Sequence, residues 1–133
     1  MVFLPEACDY IESSSEASKA KSETLDGRFI TSLKELASNL NIWISVGSFH
    51  RKLVVENEQE NKMFNSHVIL DNKGEIKCVN DKIHLFEVNI KNETENKLLR
   101  LKESDFTTPG RSFHLPLQTP VGLVGTCIVW FLQ

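Results

Sequence analysis

Two carboxylates, one ammonium and three thiols are the candidate side chains for covalent chemistry in this chain. The carboxylates belong to Glu6 and Glu103, and the ammonium belongs to Lys82. A carboxylate can take the proton of a thiol, while an ammonium can hold the thiolate and stabilise an oxyanion. A lysine between two carboxylates stays charged, because the opposite charges offset the cost of burial. The thiols belong to Cys8, Cys78 and Cys127.

The sequence separation of these groups leaves open whether they meet. Three unrelated charges on a solvated surface are the alternative for Glu6, Lys82 and Glu103. Glu6 follows a short strand predicted at residues 2–4, which Pro5 ends because proline cannot donate a ladder hydrogen bond. Ligands collect at the C-terminal edge of strands in open α/β sheets, although a solvated glutamate after a strand is the other interpretation.

An amphipathic helix and a second strand follow the first strand. Residues 12–24 predict a polar loop that includes a turn of helix. Residues 28–41 carry apolar side chains at helical spacing, with Asp26 as the predicted N-cap. Residues 42–47 are rich in β-branched side chains and predict a strand. This order of elements predicts an α/β sandwich.

A β-hairpin is predicted over residues 64–87. Its turn lies at residues 71–74, where Gly74 can adopt a positive φ. Past the second strand of this hairpin the chain presents Lys82. The hairpin is therefore the element on which a site would depend.

The remaining segments predict loops and one terminal strand. Residues 49–61 read as a charged loop and residues 88–105 as a mostly polar loop. The Pro120-containing turn at residues 119–122 leads into a last strand predicted over 123–131.

Composition excludes several classes of function. The chain has 133 residues and a net charge of −3, which fit a single domain and give no indication of binding to nucleic acid or an anionic membrane. No apolar run approaches the roughly 20 residues of a membrane span. The cysteine spacing fits neither a disulfide framework nor a zinc site, and His50 and His67 have no second metal ligand nearby in sequence. No metal or cofactor is expected. Because the chain opens directly on a strand and closes on an apolar run, we expect a fragment.

Three stretches together resemble the nitrilase (carbon–nitrogen hydrolase) superfamily. The similarity is strongest to its Nit branch, whose members include deaminated glutathione amidase and ω-amidase. The stretches lie at residues 3–11, 65–88 and 100–122, and residues 42–50 also resemble the strand before the family's Gly-Phe-His turn. The resemblance implies a partial α-β-β-α sandwich over residues 1–133, incomplete at both ends, from a family that dimerises sandwich to sandwich.

The resemblance also implies roles for individual residues. Glu6, in its Leu-Pro-Glu motif, would be the general base. Lys82 would stabilise the tetrahedral intermediate, and Glu103 matches a supporting carboxylate.

The nucleophile departs from the family pattern. Aligning the turn at residues 119–122 without gaps places Val129 in the family's cysteine position, and Cys127 lies two residues early. Two residues along a strand displace a thiol by about 6.6 Å, beyond the roughly one ångström that a reaction tolerates, unless a bulge restores the register. Asn80 and Asp81 replace the family's Tyr-Arg before Lys82, although adjacent strand residues face opposite sides.

Two hypotheses follow. The first is an amidase that hydrolyses small amides, of the deaminated glutathione or α-keto acid amide type, through a cysteine thioester. The second is a truncated, catalytically inactive isoform or pseudoenzyme that acts at most as an interaction module. The expected partners are a small amide and, in the full-length form, a second copy, but neither nucleic acid nor membrane. The expected location is the cytoplasm, with mitochondria as a further location.

Overall fold

The computed structural model describes residues 1–53, 62–92 and 97–128. The described elements are two helices, eight short strands and one 3-10 turn. In chain order they are β1 Val2–Phe3, α1 Ser15–Lys21, α2 Arg28–Leu40, β2 Ile44–Lys52, β3 Met63–Leu70, β4 Ile76–Asp81, β5 Glu87–Asn92, β6 Lys97–Lys102, the 3-10 turn Glu103–Asp105, β7 Leu117–Thr119 and β8 Gly122–Val124. This mixture confirms the predicted α/β class.

The main sheet has the strand order β1-β2-β3-β4. Strand β1 runs parallel to β2, and the other neighbours are antiparallel. The predicted hairpin is confirmed: Val68 of β3 lies opposite Val79 of β4, and Gly74 in the turn has a φ of +78°. The hairpin thereby places Lys82 directly after the C-terminal end of β4.

Helix α2 covers one face of this sheet. Ile30 and Ala37 of the helix are buried against Ile44, Val46 and Val68 of the strands. Because side chains alternate along a strand, the neighbouring positions point away from the helix. The opposite face consequently carries polar side chains, among them Ser45, His67, Asn80 and Lys82.

The N-cap of α2 differs from the prediction. Gly27, not Asp26, occupies the N-cap position and makes no side-chain cap hydrogen bond. The Glu23 carboxylate instead accepts a hydrogen bond from the Phe29 backbone N–H at 2.8 Å. A side chain four residues upstream of the cap thus satisfies one of the free helix N–H groups, which a search of the position next to the helix could not reveal.

Two loop predictions are wrong. Strand β2 continues to Lys52, because its residues pair with β3 as far as Met63; residues 54–61 lie outside the described part. Strands β5 and β6 pair antiparallel, although a mostly polar loop was predicted over residues 88–105; residues 93–96 lie outside the described part. The polar-apolar alternation over Glu87–Asn92 is a strand signal that the many polar residues obscured.

The last predicted strand is shorter in the structure. Strand β8 ends at Val124, and residues 125–128 are not in a strand. Positions 129–131 lie outside the described residues. The turn at Pro120 that joins β7 and β8 is confirmed. No described helix is long and apolar enough to cross a membrane.

Candidate active site

The structure brings together the three charged residues that the sequence had left far apart. The Nζ atom of Lys82 lies 2.9 Å from Glu6 Oε1 and 3.0 Å from Glu103 Oε2. The Lys82 side chain is only 6% exposed, and Glu103 is nearly as buried. Such pairing is what a buried ammonium requires. Three unrelated surface charges are therefore excluded for this set.

Glu6 is positioned by a close contact between its loop and strand β2. The loop lies beside β2, because the Ser48 Oγ accepts a hydrogen bond from the Ala7 N–H at 2.8 Å. A Cβ atom at Gly47 would lie 2.0 Å from the Leu4 carbonyl oxygen. Only glycine at position 47 allows this approach, and Ala7 adopts a φ of +50° at the bend.

Lys82 is fixed on both sides through its backbone. Its N–H donates to the Asn65 carbonyl at 2.8 Å, and its carbonyl accepts from the Gly110 N–H at 2.9 Å. A Cβ atom at Gly110 would lie 2.5 Å from the Asp81 carbonyl oxygen. The Thr-Pro-Gly segment thus lies directly against the end of β4 and holds Lys82 in place.

Glu103 starts the 3-10 turn and is tied to Phe86 twice. The Glu103 N–H donates to the Phe86 carbonyl at 2.9 Å, and Glu103 Oε2 accepts from the Phe86 N–H at 2.8 Å. The same carboxylate oxygen contacts Lys82. The β5–β6 hairpin, which sequence reasoning missed, therefore delivers the second carboxylate to the lysine.

Asn65 is a further member of the site that the sequence did not reveal. Its Nδ2 donates to Glu6 Oε1 at 2.8 Å, so this oxygen accepts from both the amide and Lys82. Asparagine is depleted in strands, and its presence in β3 was the one signal that could have identified it. Both contacts are made to Oε1, and the other carboxylate oxygen of Glu6, Oε2, makes no polar contact in the described part of the chain.

Asp81 points away from this cluster, as strand alternation predicts. It accepts two hydrogen bonds from the Arg51 Nη2, at 2.9 Å and 2.8 Å. The Ser66 hydroxyl donates to the same carboxylate at 2.6 Å. The Asp81 charge is thus paired on the other face of the sheet, and the substitution at position 81 leaves the Lys82 environment intact.

The three thiols differ in their surroundings. Cys8 is half-buried and donates to the Ser48 carbonyl, and burial raises its pKa. Burial also raises the pKa of the Cys78 thiol. Cys127 is exposed and lies at the rim of a small recess that Lys82 and Asn80 also line. The family position at Val129 lies outside the described residues.

His50 and His67 each contact a polar side chain from another part of the chain. His50 donates its backbone N–H to Asp9 at 2.8 Å, and its Nδ1 lies 3.0 Å from the same carboxylate. Burial opposes ionisation of Asp9, but the His50 hydrogen bonds outweigh it and lower the Asp9 pKa. His67 is buried with its Nε2 2.9 Å from Ser45 Oγ. Within the described ranges, no cluster of residues could hold a metal ion.

The geometry of the cluster allows a defined set of chemical steps. Glu6 Oε2 is available to accept a proton, because Lys82 and Asn65 both bind the other carboxylate oxygen, Oε1. The buried ammonium of Lys82 can stabilise an oxyanion in a site of low dielectric. Glu103 holds that ammonium from the opposite side. A base and an oxyanion stabiliser are therefore adjacent at the end of β4.

Comparisons with known proteins show to which family the chain is similar. The family described as "Carbon-nitrogen hydrolase" matches residues 1–131. The chain is 41% identical, over all of its 133 residues, to the nitrilase and fragile histidine triad fusion protein NitFhit of Drosophila melanogaster, of which it covers 26%. It is 35% identical to deaminated glutathione amidase of Bos taurus and covers 39% of that protein.

Solved structures of this family share the fold. The crystal structure of the C. elegans NitFhit protein matches 98% of this chain with a TM-score of 0.77 at 30% identity, and 30% of that chain is covered. Saccharomyces cerevisiae Nit3, at 17% identity, shares the fold with a TM-score of 0.63. This chain therefore spans well under half the length of the relatives it matches. The match over nearly all its residues shows that the chain belongs to the carbon-nitrogen hydrolase family.

Proposed function

We propose that the chain carries the acid-base and oxyanion-stabilising residues of an amidase that acts on small amides. The observation that carries this proposal is Lys82 Nζ, which is buried between two carboxylates at 2.9 and 3.0 Å. A buried ammonium beside a carboxylate can stabilise negative charge that develops next to a base.

The proposed mechanism uses a thiol as the nucleophile. Glu6 takes the proton of Cys127, and the thiolate attacks the carbonyl carbon of the amide. Lys82 stabilises the resulting oxyanion. The C–N bond then breaks as Glu6 returns its proton to the leaving nitrogen, which releases ammonia and leaves a thioester. Water, deprotonated by Glu6, hydrolyses the thioester to a carboxylic acid and restores the thiol.

The proposed substrate class is a short amide of the deaminated glutathione or α-keto acid type. Support comes from relatives at 33–35% identity whose name is deaminated glutathione amidase.

Ammonia release from short amides tests the proposal. We expect Glu6→Gln to reduce ammonia release at least 100-fold and to slow alkylation of Cys127 by iodoacetamide about tenfold, because the base is lost. Glu16→Gln on α1 is the matched control, since Glu16 is exposed, and it should change neither rate. Absence of ammonia release by the unsubstituted chain would refute the proposal.

A non-catalytic interaction module is the second candidate. The exposure of Cys127 favours it, because in the described residues its Sγ makes no hydrogen bond to Glu6 or Lys82. Under this alternative, iodoacetamide alkylates Cys127 at the rate of an ordinary exposed thiol, and Glu6→Gln leaves that rate unchanged.

The compartment and the assembly are part of the same proposal. The three cysteines are free thiols, which supports the reducing conditions of the cytoplasm, and of mitochondria as the further location. We propose that two copies associate through the edge strand β1, on which Val2 is 44% and Phe3 58% exposed.

A further inference from the structure

Asn80 joins strand β4 to the segment that carries Cys127. Its Nδ2 donates to the Thr126 carbonyl at 2.9 Å and to the Thr126 Oγ1 at 3.1 Å. These two bonds span 46 residues of sequence. Residues 125–128 belong to no strand, so no ladder hydrogen bonds hold Thr126 and Cys127. The Asn80 amide therefore anchors this segment in the described structure, alongside a contact between the Thr126 and Cys78 side chains.

The orientation of the Asn80 amide is fixed by its partner. A carbonyl can only accept, so the NH₂ group must face Thr126 and the Oδ1 must face the other way. That Oδ1 is buried without a hydrogen-bond partner, and so is the Nδ1 of His67, the residue directly opposite in the β3–β4 pairing. Unpaired buried polar atoms are costly. The Asn80 side chain thus keeps its bonds to Thr126 although its Oδ1 stays unpaired.

The anchor stands next to the candidate active site. Asn80 and Lys82 are two residues apart on β4 and its end, so they lie on the same face of the sheet. Cys127 directly follows Thr126, and Asn80, Lys82 and Cys127 line one recess. The anchored residue and the proposed nucleophile are therefore neighbours both in sequence and in space.

We infer that Asn80 is a positioning residue that holds Cys127 beside Lys82 and Glu6. This inference rests on the proposed function of Cys127. Position 80 and the cysteine position are both places where the sequence departs from the family pattern, and the structure connects them through Thr126. The amide at position 80 thereby offsets the early placement of the cysteine, because it fixes the terminal segment on the sheet without a strand register.

Energetic coupling between Asn80 and Glu6 tests the inference. Alkylation of Cys127 by iodoacetamide is measured by peptide mass spectrometry in the full chain, with Cys8 and Cys78 as internal reference thiols. In the unsubstituted background, Glu6→Gln should slow the reaction of Cys127 about tenfold. In the Asn80→Leu background, the same substitution should change the rate less than twofold, because the thiol is no longer held near the base. If Asn80→Leu unfolded the chain, Cys8 and Cys78 would become reactive as well. In a folded variant, these two reference thiols stay as unreactive as in the unsubstituted chain.

Matched variants keep the test decisive. Asn72→Leu makes the same chemical change in the β3–β4 turn, where the Asn72 amide contacts Asn41, and should preserve the tenfold effect. Thr126→Val keeps the carbonyl acceptor and should also preserve it. Asn80→Ser removes the amide without adding an apolar side chain, and should abolish the coupling even where Asn80→Leu fails to fold.

The outcomes separate this inference from the proposed function. Coupling that is lost in both Asn80 variants supports the positioning role even where no amide releases ammonia. A Glu6 effect that is the same in the presence and absence of Asn80 overturns the positioning role, whether or not ammonia is released. Where ammonia is released, Asn80→Ser should lower kcat about tenfold with an unchanged KM, since substrate binding does not depend on the thiol position.

Discussion

Lys82 is the residue on which the site depends, since it is buried and paired with a carboxylate on each side. Its removal leaves Glu6 and Glu103 facing each other without a cation. Breaking a buried ion pair by removing one partner costs several kcal/mol, because the remaining charge is uncompensated. The lysine is consequently as much a part of the stability of the fold as of the proposed chemistry.

We expect Lys82→Met to lower the free energy of unfolding by about 3 kcal/mol, measured by urea denaturation at neutral pH. Lys77→Met is the control, because Lys77 is 39% exposed and its nearest carboxylates lie at 3.9 and 4.0 Å. The control should change stability by about 0.5 kcal/mol or less. Equal effects of the two substitutions would contradict the buried pairing.

His67 gives a prediction for the dependence of stability on pH. Burial lowers its pKa to about 4 from 6.5, so between these values the unfolded chain binds a proton that the folded chain does not. Its contribution therefore destabilises the fold progressively as pH falls from about 6.5 to 4, and is constant outside that window. His67→Gln should flatten the stability profile there by up to about 3 kcal/mol, measured by urea unfolding at several pH values. The exposed His114, changed to Gln, should leave the profile as it is.

At the level of elements, the β3–β4 hairpin sets the position of Lys82 through its turn. Gly74 has a φ of +78°, and a Cβ atom there would lie 2.5 Å from the Lys34 carbonyl oxygen of α2. The turn therefore needs glycine for two reasons, its backbone conformation and its contact with the helix. Hairpin register and helix packing depend on the same residue.

Gly74→Ala should destabilise the chain by about 2 kcal/mol, because it adds both a strained φ and a steric contact. The measurement is the urea midpoint, with Gly125→Ala as the matched control. An added Cβ at Gly125 meets no atom within 4 Å, so that variant should stay within about 0.5 kcal/mol of the unsubstituted chain. A destabilisation at Gly74 no larger than at Gly125 would show that the turn tolerates a side chain.

At the level of the whole molecule, the edge strand β1 of the main sheet carries exposed apolar side chains. Helix α2 buries one face, with Ile30 and Ala37 fully inaccessible. Phe3 shares the other face with Ser45, its partner in the β1–β2 pairing, and is 58% exposed. Large exposed apolar side chains on a sheet face indicate a contact with another surface.

We expect the chain to self-associate through strand β1, with a dissociation constant that Phe3→Lys raises at least tenfold. Burial of a lysine ammonium in such a contact is unfavourable. Sedimentation equilibrium over a concentration series gives the constant. Leu40→Lys is the control, since Leu40 is equally exposed on α2. A chain that remains monomeric at about 100 μM, a weak-binding limit, would argue against the contact.

Much of the fold and part of the site could be predicted from sequence. Helix α2 and the β3–β4 hairpin have strong periodic and turn signals, and both are confirmed. The β5–β6 hairpin was missed because its polar residues obscured the alternation. Asn65 was not predicted as a site residue, since its role comes from a contact with Glu6 that is 59 residues away.

The sequence by itself determined the family, the α/β class and the identity of the charged residues, because these depend on residue types and local periodicity. Only the tertiary structure decided that Glu6, Lys82 and Glu103 meet, that Asp81 is paired on the opposite face, and that Asn80 holds the Cys127 segment. These are contacts between elements distant in sequence. They depend on strand order, register and the close approaches that Gly47 and Gly110 allow, none of which local sequence patterns specify.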